Sequence, residues 1–164
     1  GPPEVEALVA HYRTSFIKQR AGADGVPPLY PGARAALERL ASRPETLLGV
    51  ATGKARRGLD HILSAHDLAG LIATAQTADD HPSKPHPSML LAALAATGVE
   101  PGRAVMVGDT EFDVAMGRAA GMATIGVAWG YHRPERLRGA GADAVIESFG
   151  DLDTALLALA GCRA

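Results

Sequence analysis

The sequence predicts an α/β protein, an open parallel sheet covered by helices, on three observations. From Tyr30 onward, short apolar runs alternate with longer stretches of helical periodicity, the pattern of strand–helix–strand crossovers. The apolar runs are continuous rather than alternating, as strands buried on both faces require. Several of the periodic stretches open on Pro or Thr and close on Gly98, Gly121 or Gly141, the residues that start and stop helices.

Residues 4–20 place Val5, Leu8, Val9, Tyr12, Phe16 and Ile17 near helical spacing, so one helix is expected there. Gly22, Gly25, Pro27 and Pro28 end it in a linker. Residues 1–29 are thus read as a helix and linker, and 30–164 as the α/β core. Within the core, strands are expected at 47–51, 71–75, 104–107 and 123–128, with a short fifth at 144–146. Helices are expected near 32–42, 54–65, 87–97, 111–120, 134–139 and 151–160. There is no internal repeat, and the abundant alanine follows helical periodicity rather than forming low-complexity tracts.

A chain of 164 residues supports one main domain, and 47% apolar with 21% charged residues is an ordinary globular composition. A formal charge of −2 argues against nucleic acid or an acidic membrane surface as partner, which leaves small ligands as the expectation. The single cysteine, Cys162, cannot form an intramolecular disulfide, which fits a reducing, cytoplasmic setting. No apolar run reaches 18 residues, and nothing at the start resembles a signal peptide.

In open α/β sheets the ligand site lies outside the carboxyl ends of the strands, so the residues just after each strand carry the functional reading. After the strand ending at Ala51 come Thr52, Gly53 and Lys54, a hydroxyl and a flexible residue at an expected helix start. Thr52 either offers its hydroxyl to a phosphate oxygen beside free helix amides or simply caps the helix. In the loop from Asp79 to Ser88, three prolines stiffen the backbone around Lys84, which is either aimed at a site or solvated. His81 and His86 in that loop lack the further ligands of a zinc site and are read as structural. The third strand end is the strongest signal. Gly108 and Asp109 close the strand, and Asp113 comes four residues on, on the first turn of a helix, where it can face back toward Asp109. Two hard carboxylates suit Mg²⁺, although the same residues could serve as cap and dipole partner alone. Glu111 is expected to be solvated. The segment from Trp129 to Arg133 either edges the pocket or packs Trp129 inward.

The order Thr52, Lys84, Gly108-Asp109 and Asp113 resembles the second, third and fourth motifs of the haloacid dehalogenase (HAD) superfamily, which has a Rossmann-like core. Leu29-Tyr30-Pro31-Gly32, Ser83-Lys84-Pro85-His86-Pro87, Ala119-Ala120-Gly121-Met122 and Val127-Ala128-Trp129-Gly130-Tyr131, followed by Ala140-Gly141-Ala142-Asp143-Ala144, resemble its phosphoglycolate phosphatase-like branch. The resemblance implies a phosphomonoesterase of small phosphorylated metabolites, 2-phosphoglycolate being the first to test. It implies that Thr52 and the Gly53 amide hold the phosphoryl group and that Lys84 neutralises charge. Asp109 would bind Mg²⁺, and Asp113 would complete the acidic cluster directly or through a metal-bound water. Residues 4–20 would be the last helix of an α-helical cap.

The family nucleophile, an Asp within Asp-x-Asp-Gly at the end of the first strand, has no counterpart in this chain. The nearest string, Gly22-Ala23-Asp24-Gly25-Val26, has Gly in the nucleophile's place and no apolar strand before it. The resemblance therefore implies a nucleophile and first strand upstream of Gly1, an inactive chain when alone, and a gap between the strands ending at Ala51 and Val107. The expected fillers are a detached N-terminal segment, a second copy, a re-pairing of the flanking strands, or further residues. A non-catalytic binding module keeping only the phosphate and metal half-site is the alternative.

Overall fold

Each apolar run of the core becomes a strand, and each periodic stretch a helix, close to the expected bounds. The computed structural model describes residues 7–11 and 28–163. Its strands are β1 (Ala7–His11), β2 (Thr46–Thr52), β3 (Ile72–Thr77), β4 (Ala104–Gly108), β5 (Ala123–Val127) and β6 (Ala144–Ile146). Its α-helices are α1 (Ala33–Ala41), α2 (Arg56–Ala65), α3 (Ser88–Thr97), α4 (Glu111–Ala119), α5 (Pro134–Gly139) and α6 (Leu152–Arg163). All strand pairs are parallel, in the order β3-β2-β1-β4-β5-β6. The order reverses between β1 and β4, which places the ligand crevice at the carboxyl ends of those strands.

The expected helix over 4–20 is overturned where the structure describes it. Residues 7–11 are a strand in the centre of the sheet, with Val9 opposite Leu48 on one side and Val105 on the other. The core is not missing a central strand, because the chain's own residues fill that place. Ala7-Leu8-Val9-Ala10 is a short apolar run that satisfies either period, a known ambiguity of such runs. The sheet decides between them. As a strand the run pairs its backbone with β2 and β4, whose facing edges would otherwise carry unpaired N–H and C=O groups. That demand outweighs the helical preference of Ala and Leu. The rest of the expected cap helix and linker, including Asp24, lies outside the described residues.

Both faces of the sheet are covered, and β4 shows how. Val105 and Val107 join the cluster built with Leu37 and Leu40 of α1, Leu59, Ile62 and Leu63 of α2, and Leu152 of α6. Ala104 and Met106 point the other way, into Met89, Leu90, Ala93 and Leu94 of α3 and Met116 of α4. This period-2 split of an all-apolar strand is what burial on two faces produces. It holds α3 and α4 against the sheet, so the loop before α3 and the first turn of α4 meet at the strand ends.

Candidate active site

The site is organised by the first turn of α4. Thr110 is its N-cap, accepting the Asp113 N–H at Oγ1 (3.2 Å). Asp113 answers by accepting the N–H groups of Thr110 and Asp109 at Oδ2, both at 3.1 Å. This reciprocal capping box turns the carboxylate back toward the end of β4. Its other oxygen, Oδ1, accepts from Lys84 Nζ at 2.7 Å. Asp113 is fully buried and the Lys84 side chain is only 9% exposed, so this is a buried, charge-assisted pair.

Asp109, also fully buried, is gripped by the loop after β5. Its Oδ2 accepts the Tyr131 N–H at 2.8 Å, and its backbone carbonyl accepts the His132 N–H at 3.0 Å. Two glycines make room for the carboxylates. A Cβ on Gly130 would lie 2.2 Å from Asp109 Cβ, and one on Gly108 would lie 2.3 Å from Asp113 Cβ. Tyr30 lies within reach of this charge: burial, and then the Asp109 carboxylate, push its phenol above the ordinary value of 10.0.

Thr52 sits buried at the end of β2, and its Oγ1 accepts the Lys54 N–H at 3.1 Å. Helix α2 begins at Arg56 rather than at 54, and its N-cap is Ala55 rather than Thr52. At this later helix start the Arg56 N–H is not left open to an anion but donates to Asp79 Oδ2 at 2.8 Å. That correction comes from a contact across 23 residues, which no local pattern announces. Exposed Gly53 comes directly after Thr52. The structure thus joins Lys84, Asp109 and Asp113 through direct hydrogen bonds. It places Thr52 and Gly53 across the end of β1, two inter-strand spacings or about 10 Å away.

The donor set suits a hard cation in kind but only partly in number. Among the described residues no group of three His, Cys, Asp or Glu side chains could hold a metal. Both oxygens of Asp113 already accept hydrogen bonds, which leaves Asp109 as the better-placed direct ligand and favours contact through water at Asp113.

His81 and His86, read from the sequence as structural, hydrogen-bond at the ends of their own loop. His81 Nδ1 meets Ser88 Oγ at 2.7 Å and its Nε2 meets Gln76 Oε1 at 2.9 Å, while His86 Nδ1 accepts the Ser88 N–H at 3.1 Å. Glu111 pairs with Arg136 at 2.7 Å near the surface. Trp129 packs on Phe149 (centroids 4.7 Å apart) and edge-on to Tyr30 (6.5 Å), and the same loop also edges the site, so both readings of that segment hold. The sequence reading missed Tyr30 and the His132 ring, whose Nδ1 accepts the Glu111 N–H at 2.9 Å. A histidine just before a proline-led helix carries no distinctive signal, and Tyr30 stood only as part of a motif.

Comparison with known proteins agrees with this geometry. A sequence profile described as haloacid dehalogenase-like hydrolase matches residues 3–127. A probable phosphatase, IndB of Dickeya dadantii, is 35% identical over 158 residues, covering 94% of this chain and 67% of its own. A phosphoglycolate phosphatase of Rhodospirillum rubrum is 38% identical over 146 residues, covering 88% of this chain and 57% of its own. The chain thus spans between just over half and two thirds of the length of these relatives. Among solved structures, a conserved haloacid dehalogenase-like protein from Agrobacterium tumefaciens superposes with a TM-score of 0.72 at 31% identity, over 80% of this chain and 61% of that one. With the motif residues gathered at the strand ends and the profile running through most of the sheet, the chain belongs to the haloacid dehalogenase-like hydrolase family.

Proposed function

We propose that this chain is the core of an Mg²⁺-dependent phosphomonoesterase acting on a small phosphorylated metabolite in the cytoplasm, with 2-phosphoglycolate the first substrate to test. The observation that carries the reading is the bonded set Lys84, Asp113 and Asp109 at the carboxyl end of β4. A phosphoryl group in that crevice needs positioning and charge neutralisation more than covalent help. The Lys84 ammonium supplies positive charge there, and the Thr52 hydroxyl and Gly53 amide hold phosphoryl oxygens. Asp109 is the residue that would hold Mg²⁺, with Asp113 orienting Lys84 and reaching the ion through water. When bound, the ion would offset charge on the phosphate oxygens. The nucleophile is an aspartate outside these residues, on a segment that takes the place of β1. Its carboxylate attacks phosphorus as the ester P–O bond breaks, the leaving alkoxide takes a proton from solvent, and water then cleaves the aspartyl-phosphate to phosphate and the regenerated carboxylate, returning a proton to solvent.

A second reading is favoured by β1 itself, because Ala7–His11 fills the central place with no carboxylate. On that reading the chain is a binding module that retains the phosphate and metal half-site. The deciding experiment measures intact mass, together with phosphate release from a panel of small phosphomonoesters with Mg²⁺, for this chain and for a form carrying any segment its gene encodes upstream. The first reading expects no turnover by the chain alone. It expects turnover by the longer form that falls by about a hundredfold or more on Asp109→Asn or Lys84→Met. No turnover by either form would refute it and leave the binding module.

A further inference from the structure

Lys84 lies midway along a loop that leaves the sheet at Thr77 and re-enters regular structure at Ser88. A loop of that length has many conformations, yet its lysine must meet a buried carboxylate. The chain of polar contacts at its two stems fixes the problem. Gln76 Nε2 donates to Thr74 Oγ1 at 2.9 Å, which turns Gln76 Oε1 toward His81. That oxygen, an acceptor only, faces His81 Nε2 at 2.9 Å and so calls for the proton on Nε2. His81 Nδ1 is then an acceptor and takes the Ser88 hydroxyl at 2.7 Å. The imidazole thus ties Gln76, near the end of β3, to Ser88, the first residue of α3, with Lys84 between them in the chain.

We propose that His81 is a positioning residue for Lys84: its ring closes the stems of the loop and thereby fixes where the lysine ammonium stands. The loop has other ties, from Asp79 to the Arg56 N–H at 2.8 Å and from the Ala78 N–H to the Lys54 carbonyl at 3.4 Å. Those hold its first residues to the segment that opens α2. At the far end the His86 ring accepts the Ser88 N–H at 3.1 Å and the His86 N–H donates to the Ser83 carbonyl at 3.2 Å, local ties that do not reach β3, whereas the His81 ring bonds back to it. The importance of Lys84 toward phosphate rests on the function proposed above, but its placement can be measured without turnover, so the two ideas fail separately.

The test is limited acetylation of the folded protein with an activated ester, followed by peptide mapping. The readout is the ratio of modification rates at Lys84 and Lys54 followed at increasing sub-denaturing urea: opening through global unfolding also raises this ratio but grows with the full unfolding m-value, whereas local opening of the loop does not depend on urea. His81→Phe keeps a ring of similar size and removes both bonds. Gln76→Leu removes only the acceptor that sets the tautomer. The ratio is expected to rise about tenfold in His81→Phe, the change in local opening that comes from losing one to two hydrogen bonds, and less in Gln76→Leu. A ratio unchanged in both variants, whatever happens to their urea midpoints, would overturn the proposal and leave His81 a purely structural residue.

Discussion

Replacing Lys84 with methionine keeps the apolar stem and removes only the ammonium. Asp113 is fully buried, so it cannot turn to water for compensation. It does keep two backbone N–H donors at 3.1 Å. The loss is therefore one charge-assisted hydrogen bond plus part of the penalty for a charge left without its counterion. That places the cost at about 3 kcal/mol, the low end of the range for broken buried pairs. The Glu111–Arg136 pair supplies the contrast, with side chains 33% and 54% exposed, and Arg136→Ala should cost about 0.5 kcal/mol. Equilibrium urea unfolding resolves the two, since about 3 kcal/mol moves the midpoint by about 1 to 2 M. A cycle with Asp113→Asn isolates the pair itself, with an expected coupling of about 2 kcal/mol. A Lys84→Met cost no larger than that of Arg136→Ala would show that solvent reaches the pair and would refute the burial on which the site's electrostatics rest.

Two further predictions concern the walls of the site. Gly130→Ala drives a methyl to within 2.2 Å of Asp109 Cβ and should destabilise by about 2 kcal/mol or more, whereas Gly139→Ala, with nothing within 4 Å, should be neutral or slightly stabilising. Urea midpoints of the two variants check this, and equal shifts would contradict the packing. Tyr30 should titrate late in an ultraviolet titration, and Tyr30→Phe should remove that late step. Asp109→Asn should lower it only partly, because burial is the larger cause. Folding raises this pKa, so above pH 10.0 the unfolded chain loses its proton first and stability falls as pH rises through the folded value. Tyr30→Phe should therefore flatten the loss of stability above pH 10.0.

What could be read from the sequence was whatever local pattern decides. The short strand at 144–146 and the helix at 134–139 appear at their expected bounds, because apolar runs and an opening proline mark them without help from elsewhere. Asp109 and Asp113 were legible for a similar reason: a spacing of four across a helix start returns the second carboxylate to the first. Lys84 was legible only through family resemblance, since its partner lies 29 residues away. The loop at 129–132 contributes main-chain N–H groups, which every residue but proline possesses, so no side-chain pattern could reveal its hold on Asp109. The segment 7–11 failed differently, because its local pattern allowed two answers and only the sheet chose between them.

That choice bears directly on chemistry. The crevice of this sheet order opens where β1 and β4 end side by side, so two strand ends face any bound phosphoryl group. The end of β4 brings Asp109, already oriented by the Tyr131 N–H, while the backbone of β1 runs beside it in register, His11 opposite Val50 and Val107. Asp113 is committed to Lys84 and two amides, so it orients rather than attacks. On the function proposed above, a carboxylate nucleophile would arrive on whatever strand occupies the place of β1. The place itself is undemanding, because parallel pairing on both sides is made by backbone groups that do not distinguish one apolar strand from another. Ala7–His11 satisfies that pairing with a five-residue run, and a longer apolar strand ending in aspartate would satisfy it over β2 and β4 equally well. On that reading, exchange of one for the other would complete the proposed phosphate site without moving Thr52, Lys84 or Asp109.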